Sequence, residues 1–387
     1  NNQYFKENFN IDPNNYDHLE YTMTESGTQL MIVEGDDLHY NSMIEYIDNN
    51  DINNEEAYNH IISLMNIDSF IDHIFTTLYA ANTSWRHNRE WWRSRNNNGK
   101  WNWLIVDLDR GFNPNNSSTN LLDDLMEDYT LFTSLLNSTN FKNRFIQRSA
   151  AHLNNTFKSQ RIDNIVDSLS NIIRPEIIRH SNKWSNQDGI ESIEQWESEL
   201  NEIKQFSENR TNSVQNQFIN ELNLNGTINL SFSVYPENSG QVTINNVKSI
   251  NNNNQKYFKD IPITVNTIAN PGYEFIGWSN GTESNMLVYN CELDSGFTAI
   301  FSISEDIILP NIINENLTLN NNQNYLISTN LFIENGASLI INEGVEIQIE
   351  ESVNIIVNGQ LFINGTESNP VKIKSFNDEI GTRWGGI

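Results

Sequence analysis

Apolar side chains at Ile67, Ile71, Ile74, Phe75, Leu78 and Tyr79 recur three and four residues apart, which predicts a helix with one buried face leading to a loop at Asn82. Past that loop the period shortens to two. Residues 90–95 and 100–106 are rich in Trp and β-branched side chains, and Asn98-Gly99 between them suits the positive φ angles of a tight turn, so the stretch reads as a β-hairpin. In its second strand Trp101, Trp103 and Ile105 point one way, and Asn102, Leu104 and Val106 the other. Continuing the alternation sets Asp107 and Asp109 on a common face just past the strand end. Upstream, residues 29–35 read as a strand and 40–47 as a helix. Downstream, helical spacing covers 121–129, 131–136, 141–157, 162–173, 175–184 and 190–222, with Pro175 in a helix's first turn, where its missing N–H is harmless.

At residues 223–226 the period of 3.6 gives way to a period of two, the clearest boundary in the chain. The strands that follow would bury Tyr273 or Phe275 with Trp278 and Phe301. From about Asp306 the strands become very short and regularly punctuated. Setting Asn335-Gly336 over Asn358-Gly359 aligns this stretch on itself with a repeat of about 23 residues, which suits one coil of a parallel β-helix. Ile340, Ile347, Ile349, Ile355, Val357 and Phe362 are candidates for the inward stack. Fewer than three coils are expected before Ile387, and the β-helix is expected to be incomplete. The fold class is therefore multidomain α+β: a mostly helical domain with a β-hairpin over residues 1–222, a small all-β domain over 226–303, and the start of a parallel β-helix over 306–387.

Composition narrows the function classes. Fifty Asp and Glu against 23 Lys and Arg give a formal net charge of −27, which repels DNA, RNA and anionic lipid, so no nucleic-acid partner is expected. The single Cys291 allows no intramolecular disulfide and no Cys-based zinc site. No apolar run is long enough to span a membrane.

The densest chemistry lies in residues 82–112, NTSWRHNREWWRSRNNNGKWNWLIVDLDRGF. Two carboxylates on one face repel unless a cation or proton sits between them, so Asp107 and Asp109 would suit a hard, oxygen-seeking metal such as Mg²⁺. The alternative is a solvated strand end with a turn-forming acid. Glu34, Asp36 and Asp37 pose the same choice, with turn chemistry preferred. The acids of 121–129 read as a surface face, His152 and His180 as packed or capping histidines, and His87 as a loop residue that either contacts substrate or is solvated.

The order of these pieces resembles the CotH family, atypical kinase-like proteins first known from bacterial spore coats. The resemblance covers about the first 222 residues: VEGDDLHYNSMIEYID at 33–48, MNIDSFIDHIFTTLYAAN at 65–82, the run from Asn82 to the DLDRGF at 107–112, and the closing helices from 135 on. It implies that the helical domain is a kinase-like C-lobe. In such sites one Asp orients or deprotonates the acceptor hydroxyl, while a later Asp, helped by an Asn, holds Mg²⁺ on nucleotide phosphates. The resemblance gives that second role to Asp107, with Asp109 beside it and Asn88 as the amide ligand, and implies ATP with Mg²⁺ or Mn²⁺ as cofactors. The chain departs from the family in one place above all. Where the family reads Asn-x-Asp-Trp, this chain reads Asn82-Thr83-Ser84-Trp85, so Ser84 stands at the position of the catalytic Asp, and Arg89 follows Asn88 where a second Asn is usual. No glycine-rich phosphate loop is present, and the family's preceding nucleotide-clasping lobe is expected to lie outside this sequence.

Residues 226–303 resemble a divergent internalin-B-type repeat through Pro271 to Trp278, PGYEFIGW, closed by FTAIF at 297–301. The Trp-x-Gly-Ile ending resembles that of β-helix coils. Together these imply a secreted or cell-surface bacterial protein. Two functions compete: Mg-nucleotide-dependent phosphoryl transfer to Ser/Thr hydroxyls of a protein substrate or coat protein, weakened by Ser84, and an inactive pseudokinase scaffold for adhesion or coat assembly. Polysaccharide contact through the β-domains is a further expectation, without the acid and base pair of a lyase.

Overall fold

The computed structural model describes every residue except 1, 10, 13–14, 97, 186–188, 250–253, 271–272, 304–305, 322 and 377–382. Its first part runs α1 (Asn2–Phe9), β1 (Tyr16–Thr24), β2 (Gly27–Glu34), α2 (Leu38–Asn49), α3 (Glu55–Leu64), α4 (Ile67–Ala80), β3 (Arg89–Ser94) and β4 (Asn102–Leu104). The expected hairpin is one side of a larger antiparallel sheet of order β2-β1-β3-β4. One face of this sheet presents Leu19, Trp91 and Trp103 to α2 and α4, where Trp91 meets Tyr40 at 5.0 Å and Trp103 meets Phe70 at 4.7 Å between ring centroids. The other face, with Tyr16 and Trp92, is covered by Phe5 of α1.

The hairpin turn differs from expectation. Gly99 does not take a positive φ, and what requires glycine there is space: a Cβ would lie 1.8 Å from the Ser94 carbonyl oxygen. The strand also stops early. Trp101 and Trp103 are buried, but Ile105 is 50 % exposed and Asp107 adopts φ 48°, so the alternation that carried Asp107 and Asp109 onto one face ends at Leu104.

Five further helices close the domain: α5 (Leu121–Asp128), α6 (Thr130–Leu136), α7 (Thr139–Asn154), α8 (Ser159–Trp184) and α9 (Ile193–Glu221). Pro175 does not begin a helix, because α8 runs through it for 26 residues. Pro175 and Asn171, whose carbonyl loses its helical donor, are both exposed, so the break in the bonding ladder lies on the solvent side. His180 is exposed rather than packed.

The next eight strands form two four-stranded sheets, β10-β12-β5-β8 and β11-β9-β6-β7, from β5 (Thr227–Tyr235), β6 (Gly240–Ile244), β7 (Val247–Lys248), β8 (Gln255–Phe258), β9 (Ile263–Ala269), β10 (Tyr273–Trp278), β11 (Met286–Tyr289) and β12 (Ser295–Ile303). Phe275 packs on Trp278 and Phe301 as the sequence suggests; Pro271 and Gly272 lie outside the described residues. The core of these sheets is continuous with that of the helices.

Residues from 306 on wind into a parallel solenoid of about three turns, more than the sequence reading allowed. Asp306 pairs with Asn324, Asn324 with Glu346, and Glu346 with Lys372, each one turn on. Hydrogen bonds tie the turns together, from Ser338 Oγ to Asn316 Oδ1 at 22 residues' separation and from the Asn354 N–H to Asn330 Oδ1 at 24. Ile347, Ile349 and Ile355 face inward as expected. Ile340, Val357 and Phe362 do not: Leu339, Ile341, Leu331 and Ile333 fill the interior, while Val357 and Phe362 are 37 % and 45 % exposed. Runs such as SLII carry apolar residues at both parities, so a one-residue slip leaves the pattern intact.

Candidate functional site

The loop after α4 is placed from three sides. Ala81 closes the helix in the left-handed region at φ 51°. Arg210, fully buried on α9, donates to the carbonyls of Leu78 (2.5 Å) and Tyr79 (2.9 Å), and to those of Ser117 and Thr119 beyond the acidic loop. Burial lowers its pKa to about 10, so it stays charged at neutral pH. The N–H of Phe112 donates to the Ala80 carbonyl at 2.8 Å, and a Cβ on Gly111 would sit 3.0 Å from that of Ala80, so the 107–112 loop lies against the end of α4.

On this frame a chain of hydrogen bonds joins most of the candidate residues. The amide of Asn88 donates to Ser84 Oγ at 3.1 Å, Ser84 Oγ donates to Asn82 Oδ1 at 2.9 Å, and Asn82 Nδ2 donates to the Asp107 carbonyl at 3.1 Å. The Ser84 N–H also donates to Asn82 Oδ1. Ser84 and Asn82 are buried; the Asp107 and Asp109 side chains are exposed. Ser84, Asn88 and the Asp107 backbone are thus brought together, whereas Asp109 has no side-chain hydrogen bond to them among the described residues. His73 steadies the same region. Its Nδ1 donates to the Leu104 carbonyl at 3.0 Å, and burial lowers its pKa to about 4, which keeps the ring neutral.

The other acidic candidates resolve into structure. Asp36 pairs with Arg95 and accepts from the Leu38 N–H, as a turn acid does. His152 is held between Asp72 and Thr156. Burial pushes the Asp72 pKa up, but hydrogen bonds from His152 and Arg148 outweigh it and leave the carboxyl below its usual range. Among the described residues no group of three or more His, Cys, Asp or Glu could hold a metal. The Asn88 amide nitrogen is committed to Ser84, which leaves its Oδ1 as an acceptor, and neither Asp107 nor Asp109 has an ion-pair partner among the described residues. Asn88 Oδ1 and the two exposed carboxylates are the hard-oxygen donors that would hold Mg²⁺, which keeps several water or phosphate ligands.

Asn82, His73 and Arg210 were not singled out as site residues from the sequence. Asn82 could have been found as the first residue of the motif. His73 and Arg210 act through backbone carbonyls, which leave no sequence signal.

A helical lobe thus holds the 82–88 loop against the acidic loop at 107–112. Residues 2–214 match the sequence profile described as CotH kinase protein, and the chain belongs to that family. Residues 311–387 match the profile of a pectate-lyase like beta helix domain. No curated protein matches the chain. Among the described residues no helix is long and apolar enough to cross a membrane.

Proposed function

We propose that this is a secreted or cell-surface CotH-family protein that binds a metal–nucleotide complex and transfers phosphate to protein Ser/Thr hydroxyls slowly or not at all. The observation that carries this reading is Ser84. Its hydroxyl donates to Asn82 and accepts from Asn88, so the position at which the family carries its Asp holds a hydroxyl already committed within the loop. Asn88, Asp107 and Asp109 would hold Mg²⁺ or Mn²⁺, which when bound offsets the negative charge of nucleotide phosphates. Asn82 fixes the Asp107 backbone, and Ser84 fixes the Asn88 amide with its oxygen free. These residues bind and orient; none takes up a proton.

A titration of the chain with ATP tests the binding half. ATP should bind with Mg²⁺ or Mn²⁺ and weakly or not at all in EDTA, and Asp107→Ala should remove the metal dependence. Equal binding with and without metal, or an Asp107→Ala protein that binds like the natural one, would contradict it.

The second reading is a pseudokinase scaffold for adhesion or coat assembly, with a coat protein or polysaccharide met through the β-domains. The merging of the β-sheets with the helical core favours a structural role for this part of the chain.

A further inference from the structure

A cleft of about 530 Å³ lies on the sheet face beside Trp85, and the residues of the acidic loop do not line it. Its floor includes the cross-strand row Leu30, Tyr21 and Arg89, and α2 and α6 supply Ile44 and Leu131 to its walls. Arg86 and Arg89 both line it, with different surroundings. Arg86 has Asp128 as counter-ion. Arg89 is half-buried, with its guanidinium 4.3 Å from the Tyr21 ring centroid and 4.5 Å from that of Tyr129, and its Nε and Nη2 donate to the Arg86 carbonyl. No carboxylate pairs with it among the described residues. The remaining lining acid, Asp48, is exposed on α2.

In a chain with more than twice as many acids as bases, a half-buried guanidinium without an anion is out of place. Stacking on aromatic rings offsets part of the cost of withdrawing the charge from water, and a carboxylate delivered from outside would offset the rest. The apolar walls bury carbon at the same time, and the volume is that of a specific ligand pocket.

We propose that this cleft binds a protein segment in which an acidic side chain sits among apolar ones, and that Arg89 receives the acid. The Nε edge of the guanidinium is turned to the Arg86 carbonyl, and a carboxylate would pair with the charge and take hydrogen bonds from the N–H groups left over, which an amide of the same shape does not match in charge. The segment belongs to a partner or substrate protein. The site requires neither nucleotide nor metal, so it goes beyond the function proposed above and survives or fails without it.

The test is a positional-scanning library of nine-residue peptides, read for binding to the whole chain in EDTA without nucleotide. The natural protein should enrich Asp or Glu over Asn or Gln roughly tenfold at one position, with apolar residues beside it. Arg89→Asn should abolish that acid preference while leaving the apolar preference, and Arg89→Lys should keep part of it. A role of Arg89 in folding alone would lower all binding together and leave the ratio of acid to amide unchanged. The proposal is overturned by no acid enrichment at any position, by the same ratio in Arg89→Asn, or by inorganic phosphate competing at the concentrations that saturate the best peptide, which would mark a site for free anions.

Discussion

The two β regions that follow the helical domain look alike in sequence, each announced by a switch to short alternating strands, yet they relate to the rest of the molecule differently. The core of the sheets of residues 227–303 runs on into that of the helices. Phe258 of β8 stacks on Phe218 of α9 at 5.5 Å, and Phe218 in turn on Phe145 of α7 at 5.3 Å. Buried Gln147 donates to the Phe258 and Ile261 carbonyls and accepts from the Phe258 N–H, and Arg148 donates to the Asn245 carbonyl at 2.5 Å. The solenoid, by contrast, fills its interior from its own turns. A change of period therefore marks a change of topology; whether it also marks a mechanical boundary depends on which polar groups are left to be satisfied across it.

The strongest way to break this comparison is to cut the chain. Ending it after residue 222 would expose Phe145, Phe218 and Gln147 together, and the helical domain should lose its cooperative melting transition. Ending it after residue 303 should leave that transition where it was; scanning calorimetry of both truncations decides. Single side chains sharpen the contrast. Phe258→Ala should destabilise helices and sheets together by about 3–5 kcal/mol, whereas Ile347→Ala should cost about 2–5 kcal/mol in the solenoid alone. Denaturant melts followed by helical circular dichroism should register the first and not the second.

A smaller effect concerns pH. His73 has its pKa lowered from the ordinary 6.5 to about 4 by burial, so between those values the unfolded chain binds a proton that the folded chain refuses. Stability should be intact above pH 6.5 and fall by about 3 kcal/mol as the pH drops towards 4. His73→Gln should remove that part of the slope, which urea melts at a series of pH values would show.

Most helices and the strands of the hairpin were legible from their apolar spacing, and so was the order of helical region, sheets and solenoid; the turn at Gly99 and the unbroken α8 were not. The union of sheets and helices was not. α7 buries Gln147, Arg148 and Ser149 as fully as Phe145, and a polar run of that kind reads as a solvent face until something is known to cover it. The solenoid register failed where both parities are apolar, at Leu339 to Ile341. At the site, the motif pointed to Ser84, Asn88 and Asp107, and the hydrogen-bonded chain links them. The supports at His73 and Arg210 were invisible because they hold main-chain oxygens, Arg210 from 131 residues away in sequence at Tyr79.

The claim on which the function turns is that Ser84 leaves the site without a base while the rest of its frame stands. Phosphate transfer from labelled ATP with Mg²⁺ or Mn²⁺, measured for the natural chain and for Ser84→Asp beside the melting curve of each, tests it most directly. The variant should keep the melting transition of the natural protein's helical domain and transfer phosphate about 10²–10⁴-fold faster than the natural protein. Rapid transfer by the natural protein, or a folded Ser84→Asp protein that gains nothing, would contradict it.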